Sequence, residues 1–88
     1  MYKPKSPEDM IPDHKDYMET KGGVRGRKGT MAAALANADI IEAEDATEEE
    51  KRAALEMLRT LAPQLKALGV TTHLRWKNEA IQKVFDEA

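Results

Sequence analysis

The fold is decided by one segment, residues 47–68, with the sequence TEEEKRAALEMLRTLAPQLKAL. Thr47 and Glu50 form the T-x-x-E pattern of a capping box, in which each side chain accepts a hydrogen bond from the other residue's backbone N–H. The glutamates that follow Thr47 lie where the helix dipole favours negative charge. This start signal predicts a helix over residues 47–68.

The apolar residues of this segment recur at alternating spacings of four and three. They are Ala54, Leu58, Leu61, Leu65 and Leu68. Leu55 and Ala62 widen the stripe to the breadth of a core-facing helix. Pro63 lies inside the stripe, so we expect the helix to kink there or to break and restart. Gly69 is a natural stop just beyond the helix.

Two further helices are predicted on either side of this segment. A helix over about 30–43 carries a one-sided apolar stripe, and a helix over 72–86 carries an apolar face with Trp76 on its shoulder. The stripe consists of Met31, Ala34, Leu35, Ala38 and Ile41, and the face consists of Leu74, Ile81, Val84 and Phe85. No alternating β-branched run indicates a strand pair. The fold class is therefore all-α, a small three-helix bundle or open helical array over residues 29–88.

Residues 1–28 predict an extended or disordered arm in front of these helices. Three of the four prolines fall in the first twelve residues, and four of the five glycines fall between positions 22 and 29. Proline removes backbone donors, and glycine raises the entropy lost on ordering. The stretch between these residues is too short for a stable isolated helix, so we expect at most one helical turn, around His14–Thr20.

Length and composition exclude several classes of protein. The chain has 88 residues, 34% of them charged, and a net charge of −2. This size supports one modest core. The chain has no cysteine, which excludes disulfides, thiolate nucleophiles and cysteine zinc sites. It has neither an apolar run long enough to cross a bilayer nor a signal-peptide pattern, so we expect a cytoplasmic protein that does not bind membranes.

The charge divides the chain into a mildly basic arm and an acidic body. Residues 1–28 hold seven Lys or Arg against five acids, whereas residues 29–88 hold seven against eleven. The basic end of the arm is KGGVRGRKGT, residues 21–30. It departs from the phosphate-binding Walker A pattern because no lysine directly precedes Thr30.

Three interpretations of this basic segment remain open. It can be a solvated hinge, it can dock onto an acidic protein partner, or it can bind a nucleic-acid backbone. In the last case the phosphate contacts come from Lys21, Arg25, Arg27 and Lys28. The segment has no interleaved aromatic residue to stack on bases.

No catalytic, metal or cofactor site is predicted. Asp9, Asp13, His14 and Asp16 resemble a metal cluster only superficially, because their spacing places them on no preformed scaffold. No nucleophile is arranged beside a general base. A small enzyme would need a constellation that the sequence does not contain.

Trp76 is the only tryptophan, and Arg75 and Lys77 flank it. It can close the edge of a thin core or contact a partner, since tryptophan and arginine are enriched at interface hot spots. Tyr17 and Met18 are apolar residues in an arm that cannot bury them locally. Such an arm often orders on a partner or along its own body.

The sequence thus predicts a non-enzymatic protein-binding module that acts as an accessory, assembly or inhibitory protein. This layout is common among small bacterial and phage accessory proteins. The arm would order on a protein partner, and the contacts would come from Tyr17, Met18, Arg25, Arg27, Lys28 and Trp76. The alternative is a nucleic-acid-binding accessory protein that uses residues 21–28. A homodimer can form through the face of Leu58, Leu61, Leu65 and Leu68.

Overall fold

The computed structural model describes residues 2–10, 17–19 and 25–88, and for residues 8, 10, 17–19 and 25–28 it describes the backbone alone. The elements, in chain order, are α1 (Pro7–Met10), β1 (Tyr17–Glu19), β2 (Arg25–Arg27), α2 (Lys28–Glu42), α3 (Glu48–Ala67), α4 (Val70–His73) and α5 (Glu79–Asp86). The predicted all-α class is confirmed, because helices build the whole described body.

The long helix α3 begins and ends where the sequence predicts. Thr47 is its N-cap, and both hydrogen bonds of the capping box with Glu50 are present, at 2.8 and 3.1 Å. Gly69 adopts a left-handed backbone with φ of 90°, which favours glycine. The helix continues through Pro63, so of the two outcomes expected at this position, a kink or a break, the break is wrong.

The core lies where α2, α3 and α5 meet. On the α3 side, the core consists of the predicted apolar stripe. Leu55 and Leu68 are partly buried and pack at the edge of the core. The α2 side is built mostly from alanines, which allow helices to approach closely. Buried hydrophobic residues of this cluster are Ala33, Ala34, Ala38, Leu58, Leu61, Ala62, Leu65, Ile81, Val84 and Phe85.

This packing excludes the predicted dimer face. Leu58 and Leu65 are fully buried and Leu61 nearly so, all within one chain. Because α2 and α5 already pack against α3, that face is not available to a second copy. The prediction of a homodimer through it is wrong.

The predicted single helix over 72–86 is also wrong, because residues 74–78 interrupt it. Leu74 is extended, with φ of −127° and ψ of 146°, and α5 starts only at Glu79. The Asn78 side chain accepts hydrogen bonds from the backbone N–H groups of Ala80 and Ile81. Such a cap satisfies two N–H groups at a helix start, and so it favours a new helix here.

The first residues of the arm pack along the body. The Asn37 side chain accepts from the Lys5 N–H at 3.1 Å and donates to the Lys5 carbonyl at 3.0 Å. The Tyr2 N–H donates to Glu50 at 2.9 Å, and the Tyr2 hydroxyl donates to Asp45 at 2.6 Å. Residues 2–6 thus form neither a helix nor a strand, and they are held on the chain's own helices. α1 packs against α2 in the same region.

No sequence signal predicts the strand pair formed by β1 and β2. β1 and β2 are antiparallel, and Tyr17 is opposite Arg27 while Glu19 is opposite Arg25. Residues 17–19 are therefore a strand, not the helical turn expected around His14–Thr20. Pairs this short depend on their surroundings, so local sequence carries little information about them.

Candidate interaction groove

An open groove lies between α2 and the segment 74–78, and we call it the α2 groove. Its volume is about 350 Å³. The apolar residues that line it are Met31, Leu35, Ala38, Val70, Leu74 and Trp76. Charged residues stand on both walls: Asp39 and Glu42 come from α2, whereas Arg75 and Lys77 come from the opposite side.

Leu35 and Leu74 are the two large hydrophobic residues that stay exposed among the described side chains. Leu35 is 49% exposed and Leu74 is 60% exposed. The sequence placed both on core-facing stripes, and that prediction is wrong for both. Since both line the α2 groove, the large exposed hydrophobic residues of the described part of the chain lie at one place.

Leu35 is exposed because α2 is apolar on more sides than the core can cover. The core takes Ala34 and Ala38, while the N-terminal residues hold Asn37 on another side. Tyr2 and Lys5 share a second cavity with Ile40, which is also buried. The remaining side of α2 carries Leu35. A helix that is hydrophobic all round is usually covered all round.

The opposite wall is fixed through Trp76 and Gln82. The Trp76 ring stacks on Phe85 with centroids 5.2 Å apart and planes at 26°. The backbone N–H of Trp76 donates to the side-chain oxygen of Gln82 at 2.8 Å, and the side-chain nitrogen of Gln82 donates to Asp86 at 2.9 Å. Gln82 is itself buried. Trp76 therefore closes the core edge and lines the groove as well.

Asn78 links the two walls. Besides capping α5, its side-chain nitrogen donates to Glu42 at 3.3 Å. This bond joins the end of α2 to the start of α5. The groove is thus formed before any ligand binds, which lowers the entropic cost of binding.

The charges on the rim are not neutralised within the groove. Among the described residues, no ion pair forms at Asp39, Glu42 or Lys77. Arg75 lies 3.8 Å from Glu79, but both side chains are largely exposed, so this pair is weak. α2 also has no basic residue in its last turn. Its negative dipole end and the two carboxylates therefore add in the same direction.

The structure brings the predicted arm residues together only at the level of the backbone. Tyr17 and Met18 lie in β1, Arg25 and Arg27 lie in β2, and Lys28 begins α2. Lys21 lies outside the described residues, so the predicted nucleic-acid segment is only partly described. Both the protein-binding and the nucleic-acid interpretations of this segment stay predictions.

The shifted pKa values lie away from the α2 groove. Hydrogen bonds from the backbone N–H groups of Thr47 and Tyr2 lower the pKa of Glu50. The hydrogen bond to Asp45 raises the pKa of the Tyr2 hydroxyl. The backbone and hydroxyl of Ser6 lower the pKa of Asp9. All three groups stabilise the N-terminal residues and the start of α3, not a reaction centre.

The described side chains contain no group of three or more His, Cys, Asp or Glu placed to hold a metal ion. Of the four acidic and histidine residues that resembled a metal cluster, only Asp9 is described. Its carboxylate accepts from the Ser6 N–H at 2.9 Å and the Ser6 hydroxyl at 3.1 Å. This carboxylate closes a local turn at the start of α1.

The sequence indicates Trp76 as a candidate contact residue, but it does not indicate the groove around it. One available signal was the composition of α2, in which apolar residues occur all round the helix and not only on one stripe. A second was Asn78, a good N-cap inside a supposedly continuous helix. These features indicate a helix start at Asn78 and an uncovered side of α2, but they do not show which segment lies opposite α2.

Comparison with known protein families, curated proteins and solved structures finds no match for this chain. Within the part that the structure describes, no helix is both long and apolar enough to span a bilayer.

Proposed function

We propose that this protein is a non-enzymatic protein-binding module, an accessory or inhibitory protein that binds its partner through the α2 groove. The observation that supports this proposal is the exposure of Leu35 and Leu74 in one groove. Exposed apolar surface with a polar rim is typical of protein interaction sites. Burying these two leucines and the open face of Trp76 on a partner would remove that surface from water.

Trp76 is the proposed energetic centre of the interface. It is half-buried against Phe85, so its ring is already held in one orientation. A preordered aromatic side chain loses little entropy on binding, and tryptophan is enriched among residues that dominate binding energy. Arg75 and Lys77 beside it would then form part of the charged rim.

The arm contributes to the same surface in this proposal. β2 leads directly into α2, and Met31 lies in the first turns of α2 at the end of the groove. A partner that lies along the groove would therefore come close to β1 and β2. Contacts with Tyr17, Met18, Arg25, Arg27 and Lys28 would extend the interface beyond the groove.

The proposal is tested by affinity capture from a lysate of the source cells. The bait is the full chain, compared with the double variant Leu35→Ser, Leu74→Ser and with Ala67→Ser. Ala67 is an exposed position on α3 outside the groove, so it controls for adding a hydroxyl group. Circular dichroism checks that each bait is folded.

We expect a partner that the wild type and Ala67→Ser capture and the double variant does not. Equal capture by all three baits would contradict the proposal. Nuclease treatment is included in every arm of the experiment. If capture disappears with nuclease and with Arg25→Ala, Arg27→Ala, the basic segment binds nucleic acid and the groove is not the binding site.

A further inference from the structure

We propose that the occupant of the α2 groove is an amphipathic helix of a partner protein, with a basic flank on one side of its apolar stripe and an acidic flank on the other. This inference rests on the proposed function and names the partner element that the groove fits.

The shape of the groove favours a helix. Its α2 wall runs from Met31 to Glu42, which is about 16 Å at the helical rise per residue. That length matches about three helical turns, enough for anchors at positions i, i+4, i+7 and i+11. The described residues that line the groove belong to α2, α4 and the loop 74–78, and none of them is in a strand. These residues therefore offer an added strand no sheet edge to pair with.

The charges of the two walls specify the flanks of the partner helix. The α2 wall presents Asp39 and Glu42, and a basic side chain would meet both the carboxylates and the negative end of the helix dipole. Asp39 also lines the second cavity together with Lys3 and Lys5, whose positive charges offset part of its negative charge. Glu42 is therefore the stronger site for a cation. The opposite wall presents Arg75 and Lys77, which favour an acidic flank.

The described surface of a second copy of this chain does not fit the groove. An occupant must present a convex apolar surface, and the exposed large hydrophobics among the described side chains are Leu35 and Leu74 alone. Both already belong to the groove. Two such grooves placed face to face would leave a space between them, which forfeits packing contacts.

Three designed peptides test this inference without knowledge of the natural partner. Each is a 16-residue helix with leucine at the four anchor positions and no tryptophan. The first has lysine on one flank and glutamate on the other, the second has lysine on both, and the third has glutamate on both. Because a helix can bind in either direction, these three peptides test the charges without assuming an orientation.

The fluorescence of Trp76 reports binding, since it is the only tryptophan in the chain and lines the groove. We expect the first peptide, with mixed flanks, to bind about tenfold more tightly than either peptide with uniform flanks. In each uniform peptide, one flank carries the same charge as the wall that it faces, so its exposed charge pairs become repulsive. The double variant Asp39→Asn, Glu42→Gln should shift the preference of the protein toward the peptide with glutamate on both flanks. Arg75→Gln, Lys77→Gln should shift it toward the lysine-flanked peptide.

The inference is overturned if a uniform peptide binds as tightly as the mixed one, or if no peptide binds at millimolar concentration. It is also overturned if Leu35→Ser, Leu74→Ser binds the mixed peptide as well as the wild type does. The proposed function is decided separately, by whether lysate capture depends on the same two leucines. If lysate capture depends on the two leucines but no peptide binds, the groove binds a protein partner that is not such a helix. If capture does not depend on the leucines and no peptide binds, both proposals are rejected.

Discussion

At the scale of single residues, Asn37 shows how a polar side chain can be fully buried in an apolar helix. Its amide nitrogen donates to the carbonyls of Lys5 and Ala33, and its oxygen accepts from the Lys5 N–H. The three hydrogen bonds of the Asn37 side chain therefore all go to backbone groups. Asn37 acts as a clamp that holds the N-terminal residues on α2.

Replacing Asn37 by alanine should destabilise the protein by about 1–3 kcal/mol, because the Lys5 N–H and carbonyl lose their partners. Urea unfolding measures the stability, and hydrogen exchange at residues 3–6 measures release of the segment. Lys5→Ala is the matched control, since it keeps the backbone groups that Asn37 contacts and should change stability by less than about 0.5 kcal/mol. Unchanged stability and exchange in Asn37→Ala would contradict the clamp.

The stability of two leucine variants distinguishes a core position from a groove position. Leu58→Ala should cost about 2–5 kcal/mol, since its side chain is fully buried between helices and the change leaves a cavity. Leu35→Ala should cost much less, because half of its side chain is already exposed. Thermal or urea unfolding of both variants measures the difference. Equal losses of stability would show that Leu35 is a core residue and that the groove is not open.

At the scale of elements, α3 is stable enough to tolerate a proline. Pro63 lies inside the 20-residue helix, where it removes the N–H that would donate to the Arg59 carbonyl. Both residues are exposed, so water can reach that carbonyl. The leucines on the other side of the helix stay in the core. Tertiary packing of this face therefore outweighs the local cost of the proline.

Pro63→Ala should stabilise the protein by about 1–3 kcal/mol, because it restores one helical hydrogen bond and removes the ring clash. The gain is reduced by the greater freedom of alanine in the unfolded chain. Arg52→Ala, at another exposed position of α3, is the control and should be close to neutral. A lower unfolding midpoint for Pro63→Ala would mean that the proline contributes a contact of its own.

At the scale of the whole molecule, the start of α3 and the N-terminal residues are held by the same side chain. Glu50 accepts from the Thr47 N–H within the capping box and from the Tyr2 N–H, 48 positions away in the chain. One carboxylate thus joins the cap of the longest helix to residues 2–6, and those residues in turn cover α2.

Acidification should remove the stabilisation that Glu50 provides. Since the native pKa of Glu50 is lowered, the unfolded chain binds the proton first, so this stability is present above the ordinary glutamate pKa and is lost as pH falls through the native one. We expect Glu50→Gln to be less stable than the wild type at pH 7 and the difference to shrink below roughly pH 4. Unfolding midpoints across this range measure it.

Glu49→Gln is the control for this pH series, because Glu49 lies in the same first turn and has no hydrogen bond to Tyr2. Its stability should follow the wild type more closely than Glu50→Gln does at neutral pH. A constant difference between the wild type and Glu50→Gln from pH 7 to pH 3 would contradict the role of the charged carboxylate.

The sequence alone determined the features that depend on neighbouring residues. The capping box of Thr47 and Glu50, the apolar stripe of α3 and the glycine stop at Gly69 all depend on residues only a few positions apart. A helical period and a cap are local properties, and so they can be recognised without knowledge of the rest of the fold. The all-α class follows from them.

Only the tertiary structure decided which apolar residues remain exposed. Leu35 and Leu74 have the same spacing as core residues, but the core, the N-terminal segment and the loop at 74–78 compete for the sides of α2. That competition depends on where distant segments pack, and hydrophobic periodicity does not contain this information. The α2 groove was therefore hidden in the sequence, because burial is a property of the assembled helices and not of any one of them.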